Sequence, residues 1–192
     1  MVDVSLQPAQ TGLLPALTLV LGGARSGKSR HAEALVLAHA DAIGAQPVYI
    51  ATAEADDSEM AERIAKHKAR RSDHWRNREV PLAIAEVISG YADTRQPILI
   101  DCLTLWLGNI LLAERDIAVD TANFLKCLAS APGPIVCVAN EVGLGIVPEY
   151  PLGRSFRDYA GRLNQQVAEH ADRVDFIAAG LPISLKQPPN TG

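Results

Sequence analysis

Three cysteines in 192 residues, none in a CxxC pair and all in apolar contexts, exclude a disulfide framework and a cysteine-based zinc centre. They read as the reduced, buried thiols of a cytoplasmic protein. No apolar run approaches the roughly 20 residues that cross a bilayer. The opening "MVDVSLQPAQTG" lacks both the charged and the apolar region of a secretion signal, so no membrane insertion is expected. Nor is there an excess of positive charge. The formal net charge is -4, which argues against broad nucleic-acid binding and makes the basic run between Arg63 and Arg78 a local feature. Internal repeats and long linkers are missing too.

What is present is a chain with 48% hydrophobic residues, enough to bury one sizeable core. One domain over residues 17–186 is expected, after a disordered lead-in (1–16) and before a breaker-rich tail (187–192). Short apolar runs at 17–23, 47–52, 97–103, 134–140 and 174–180 read as strands buried on both faces. Helical patterns at 27–42, 58–71, 82–91, 103–113, 120–131 and 153–171 fill the gaps. "PISLK" is a candidate edge strand, with an antiparallel orientation one of the options. Strand and helix alternation gives an α/β fold with a mostly parallel sheet and helices on both faces. Ligands bind at the carboxyl ends of such strands, and the strand exits "GGARSGKS", "ATAE", "DCLT", "NEVGLG" and "AGLP" are small, polar or acidic.

"GGARSGKS" matches G-x-x-x-x-G-K-[ST] between a strand and a helix, the setting that this phosphate-binding loop requires. Gly22, Gly23, Ala24, Arg25, Ser26 and Gly27 would turn backbone N–H groups toward phosphate oxygens, aided by the positive end of the following helix. Lys28 is expected at the β/γ-phosphates of ATP or GTP and Ser29 on Mg²⁺. Asp101, ending the hydrophobic strand "ILIDC", supplies the acid on the metal side. The fold expected is therefore of the P-loop NTPase, RecA-like type.

The segment "ERIAKHKARRSDHW" places Arg63, His67, Arg70, Arg71 and His74 on one helical face. Cations about 6 Å from an imidazole, at an effective dielectric near 20, disfavour its protonation by roughly 1–3 kcal/mol. His67 would then stay neutral and nucleophilic, while the same cations stabilise the anionic group it acquires. Asn140 and Glu141 follow a strand and are secondary candidates, with Arg154, Arg157, Asp158, Arg162 and Asn164 beyond them. His31, His39 and His170 read as structural or solvated, and Trp75 and Trp106 as packing anchors, with Trp106 also a candidate for the border of the substrate pocket.

The segments "GGARSGKSRHAE", "YIATAE", "RIAKHKARRSDHW" and "NEVGLGIVPEYPLGRSFRDYAGRLNQ" resemble the bifunctional adenosylcobinamide kinase/adenosylcobinamide-phosphate guanylyltransferases of cobalamin biosynthesis. The likeness runs from Leu17 to Lys186. It implies phosphorylation of adenosylcobinamide with ATP or GTP, then GMP transfer from GTP to adenosylcobinamide phosphate through a guanylylated histidine. The matching histidine is His67, and not His74. The resemblance also implies GTP contacts at residues 22–29, at Ala51, Thr52 and Ala53, at Lys68, Ala69, Arg70 and Arg71, at Glu79 and at Asp101, and a homotrimeric assembly. Asp101 stands where some relatives carry Glu, and Ala53 where some carry a hydroxyl residue. A monofunctional kinase of a small metabolite and a nucleotide-dependent regulatory switch are the rival readings.

Overall fold

The computed structural model describes residues 13–53, 74–91 and 94–188. Seven strands form one sheet: β1 (Leu17–Gly22), β2 (Val48–Ala51), β3 (Arg76–Glu79), β4 (Ile98–Asp101), β5 (Ile135–Asn140), β6 (Arg173–Ala178) and β7 (Leu181–Lys186). Their order is β3-β2-β4-β5-β1-β6-β7. All neighbours run parallel except β6 and β7. The described helices are α1 (Lys28–Ile43), α2 (Ile84–Ser89), α3 (Leu103–Leu112), α4 (Ile117–Ser130) and α5 (Pro151–His170). The helix expected over 58–71, with His67, Lys68, Ala69, Arg70 and Arg71, lies outside the described residues.

Alternation along each strand divides the core into two layers, because successive side chains point to opposite faces. Leu17, Leu19 and Leu21 of β1 face α2 to α5, joining Ile84, Leu103, Trp106, Phe124 and Val167. Val20, Leu99, Val136, Val138 and Ile177 face α1, which contributes Ala32 and Val36. Burying each such large aliphatic side chain stabilises the fold by about 1.5–3 kcal/mol. The sheet is thus clad on both sides, as read from the apolar runs.

Helix ends follow local chemistry. The carboxylate of Asp116 accepts from the N–H groups of Ala118 and Val119 and starts α4 three residues before the expected position. α5 starts at Pro151, whose fixed φ and missing N–H suit a first helical position. α1 ends at Gly44 in the left-handed region, with the N–H of Ala45 reaching back to the Ala40 carbonyl at 3.0 Å. α2 covers six residues, where a helix over 82–91 was expected.

Two further differences concern strands. β3, with the exposed sequence "RNRE", has no apolar signal and pairs through its main chain alone, Val48 with Arg76 to Ala51 with Glu79. β7 is the edge strand that "PISLK" suggests, and it runs antiparallel to β6. The two-residue turn Ala179–Gly180, with φ of 52° and 82°, joins it to β6, a hairpin geometry matched to strand twist. Because β1 to β6 run parallel, Gly22, Ala51, Glu79, Asp101, Asn140 and Ala178 all end on one edge of the sheet.

Candidate functional site

The loop between β1 and α1 is shaped by its backbone. At Gly22 an added Cβ would sit 2.6 Å from the Ile177 carbonyl oxygen and 2.7 Å from Ser26 Oγ, so the position admits only glycine. Arg25 adopts φ 57°, a left-handed conformation uncommon for a non-glycine residue. The N–H of Ser26 donates to the Gly23 carbonyl at 3.3 Å, and the N–H of Gly180 to the Ser26 carbonyl at 2.9 Å. The β6–β7 turn therefore buttresses the loop from behind. Helix α1 begins after Gly27 with no side-chain cap, which leaves its first N–H groups for an anion. Ser26 Oγ is buried with no partner among the described residues, a donor that a ligand oxygen can satisfy.

Lys28 is mostly buried, and its Nζ donates to the Gly23 carbonyl at 2.9 Å, across the loop. Burial lowers its pKa, an effect opposed by Cys102 and Asp101. Ser29 Oγ donates to Asp101 Oδ1 at 3.3 Å, bringing together residues 72 positions apart. The other carboxylate oxygen, Oδ2, accepts from the Tyr49 hydroxyl at 2.5 Å. Tyr49 is fully buried and packs edge-on against Trp75, with ring centroids 5.3 Å apart. Hydroxyl and carboxylate oxygens converging beside a phosphate loop are a hard donor set that fits Mg²⁺, an ion that takes few protein ligands when phosphates supply the rest.

The strand between them, β5, exits into the same region. The N–H of Asn140 donates to Thr104 Oγ1 at 2.7 Å, Asn164 Nδ2 donates to the Asn140 carbonyl at 3.2 Å, and the N–H of Glu141 donates to the Gly22 carbonyl at 3.0 Å. Glu141 then lines a cleft of about 420 Å³ with Gly23, Ala24, Arg25, Ser26 and the end of β6.

Of the residues expected at a nucleotide, 22–29 and Asp101 are assembled around one point. Ala51, Thr52 and Ala53 lie one strand beyond Asp101, and Glu79 ends the edge strand β3. The Thr52 hydroxyl is already engaged, donating to the Cys102 carbonyl at 2.7 Å and accepting from its N–H at 2.8 Å. It holds the backbone next to Asp101, where the Asp101–Cys102 peptide is cis. Burial pushes the Cys102 thiol up to about 11, so it stays protonated at neutral pH. Trp106 is a packing anchor, donating to the Leu82 carbonyl and tilted against Phe124.

His31 and His39 have structural partners. Asp175, nearly inaccessible, meets His31 Nε2 at 2.9 Å and Arg173 Nη2 at 2.8 Å. Burial alone would raise the Asp175 pKa, but the hydrogen bonds and charges of His31 and Arg173 outweigh it and hold the carboxyl below its usual range. His39 accepts from the N–H of Leu14, and burial lowers its pKa. Reading the sequence missed Tyr49, Thr104 and Asn109, the last of which donates to the carbonyls of Thr52 and Pro81. The signal was a hydroxyl or amide on an otherwise apolar face, as in "PVYIAT" and "CLTLWLGN".

Comparison with known proteins agrees with this architecture. The fold resembles the crystal structure of flagellar accessory protein FlaH from Methanocaldococcus jannaschii, with a TM-score of 0.53 over 92% of this chain and 81% of that one, at 15% identity. The chain is 49% identical over 173 residues to the bifunctional adenosylcobalamin biosynthesis protein CobP of Pseudomonas aeruginosa, covering 89% of this chain and 98% of that protein. To the bifunctional adenosylcobalamin biosynthesis protein CobU of Salmonella typhimurium it is 40% identical, covering 88% and 99%. The family model described as cobinamide kinase / cobinamide phosphate guanyltransferase matches residues 18–185, and the chain belongs to that family.

Proposed function

We propose that this protein phosphorylates the aminopropanol hydroxyl of adenosylcobinamide with ATP or GTP and then transfers GMP from GTP to the phosphate just formed. The products are adenosylcobinamide-GDP and pyrophosphate. Family membership supports both halves. The observation that carries the nucleotide chemistry is the meeting of Ser29 with Asp101 beside the loop that bears Lys28.

In the first step the loop N–H groups and the α1 terminus hold the phosphates, and Lys28 neutralises charge developing on the β/γ oxygens. Ser29 and Asp101 would hold Mg²⁺, which would screen the negative charge of the phosphates. In the second step a neutral His67 imidazole attacks the α-phosphorus of GTP. The N–P bond forms as the bond from the α-phosphorus to the bridging oxygen breaks, and pyrophosphate departs with the electron pair. A phosphate oxygen of adenosylcobinamide phosphate then displaces the imidazole. Resemblance of "RIAKHKARRSDHW" supports this role for His67, with Lys68, Arg70 and Arg71 beside the phosphates. It also supports cytoplasmic work as a homotrimer, and the exposed apolar side chains Leu181, Ile183 and Leu185 of β7 suit contact between copies.

Intact-protein mass after incubation with GTP and Mg²⁺ tests the second step. A GMP-sized addition that is acid-labile, alkali-stable and absent from His67→Ala is the expected result. Folded wild type without an adduct, or an adduct that persists in His67→Ala, favours a monofunctional kinase.

A further inference from the structure

We propose that Glu141 is the general base of the phosphorylation step, taking the proton from the acceptor hydroxyl as its oxygen attacks the terminal phosphorus held on the phosphate loop. This deepens the reading above and rests on it. Three carboxylates stand at the carboxyl edge of the described sheet: Glu79, Asp101 and Glu141. Glu79 ends β3, four strands away from β1. Asp101 is committed to Ser29 and Tyr49. Glu141 alone borders the cleft shared with Gly23 to Ser26.

Its position is held from several sides. Its N–H donates to Gly22, the residue that opens the phosphate loop, at 3.0 Å, and the preceding residue is gripped through its N–H by Thr104 and through its carbonyl by Asn164. The carboxylate is aimed by the N–H of Gly143, which donates to Oε1 at 2.5 Å. Oε2 accepts no hydrogen bond among the described residues. Across β1 from Glu141, the cleft is lined by Phe176, Ile177 and Ala178 at the end of β6, and Leu144 also lines it. An alcohol on an amphipathic substrate entering there meets apolar wall, carboxylate and phosphate loop together.

Chemistry gives the base a task in one half of the reaction only. The attacking alcohol becomes strongly acidic as its bond to phosphorus forms. That bond forms while the one from the terminal phosphorus to the bridging oxygen breaks; the nucleoside diphosphate keeps the electron pair, and the proton passes to Oε2 and then to water. GMP transfer needs no such help, because its acceptor is a phosphate oxygen that is already ionised at neutral pH.

Full-length Glu141→Gln, assayed for ATP-dependent phosphorylation of adenosylcobinamide and for GMP transfer to ready-made adenosylcobinamide phosphate, separates the two. Phosphorylation kcat should fall about 10²- to 10⁴-fold with KM within about threefold, so the ratio of phosphorylation to transfer falls with it. The acid limb of the wild-type kcat profile should flatten in the variant. Glu141→Asp, which keeps a carboxylate, should recover part of the rate and so distinguishes loss of the base from loss of the fold. A phosphorylation rate within about threefold of wild type, or an equal fall in both activities in a folded variant, overturns the assignment. A wild type that cannot phosphorylate adenosylcobinamide overturns the phosphorylation reading itself.

Discussion

Tyr49→Phe removes the hydroxyl that donates to Asp101, the acid proposed on the metal side. The ring keeps its edge-on contact with Trp75 at 5.3 Å, and only the oxygen that reaches Asp101 Oδ2 at 2.5 Å is lost. A hydrogen bond to an ionised acceptor contributes about 1.5–3 kcal/mol. Asp101 is half-buried and keeps Ser29 as a donor, so the contribution falls around the lower end of that range, about 1–2 kcal/mol. For a chain of this size each kcal/mol moves Tm by about 2–4 °C, which gives a fall of about 2–8 °C in a calorimetric scan. The functional effect comes from orientation. Without the Tyr49 donor Asp101 can turn away from Ser29, and the same 1–2 kcal/mol taken from metal binding raises the Mg²⁺ midpoint of GTP-dependent activity about 5- to 30-fold. A Tm within about 1 °C of wild type together with an unchanged Mg²⁺ midpoint refutes the reasoning. A lower Tm with an unchanged midpoint reduces Tyr49 to a structural hydroxyl.

Gly22→Ala should cost about 2–4 kcal/mol and abolish nucleotide binding, because its Cβ would lie 2.6 Å from the Ile177 carbonyl; GTP affinity by calorimetry and a urea melt check both. Asp175→Asn should destabilise the protein by about 2–3 kcal/mol at pH 7, since it leaves Arg173 and His31 without their anion. The folded-state pKa of Asp175 is depressed, so its contribution is complete above the unfolded value near 3.9 and is lost as pH falls through the folded one. Urea midpoints of wild type and variant should therefore converge in strong acid, and a constant gap down to the lowest accessible pH contradicts that account.

Elements whose causes are local were legible in the sequence. "LTLVLGG", "PILIDCL" and "PIVCVAN" are strands because a parallel sheet covered on both faces needs apolar residues at every position, and β1, β4 and β5 are buried along almost their whole length. The phosphate loop was legible because its glycines, lysine and serine act within eight residues. "RNRE" was not. Its four side chains are exposed, and its strand character comes from main-chain pairing with β2, which no side-chain pattern records. Apolar spacing alone places the start of α4 at residue 120, whereas the Asp116 cap starts it at Ile117. Tyr49, Thr104 and Asn164 escaped or stayed undecided for a different reason. Their roles depend on partners 52, 36 and 24 residues away, and become visible only when strand order is known.

The buttress behind the phosphate loop bears on how the protein is made. The motif is complete by residue 29, yet the N–H that secures the Ser26 carbonyl belongs to Gly180, and Gly180 Cα packs 3.4 Å from where a Cβ on Gly27 would lie. Synthesis of the intervening chain separates these groups by about eight to thirty seconds at 5–20 residues per second. During that interval the loop can have its sequence but not its support. Nucleotide capture should accordingly appear late on the nascent chain, after the β6–β7 hairpin has cleared the exit tunnel.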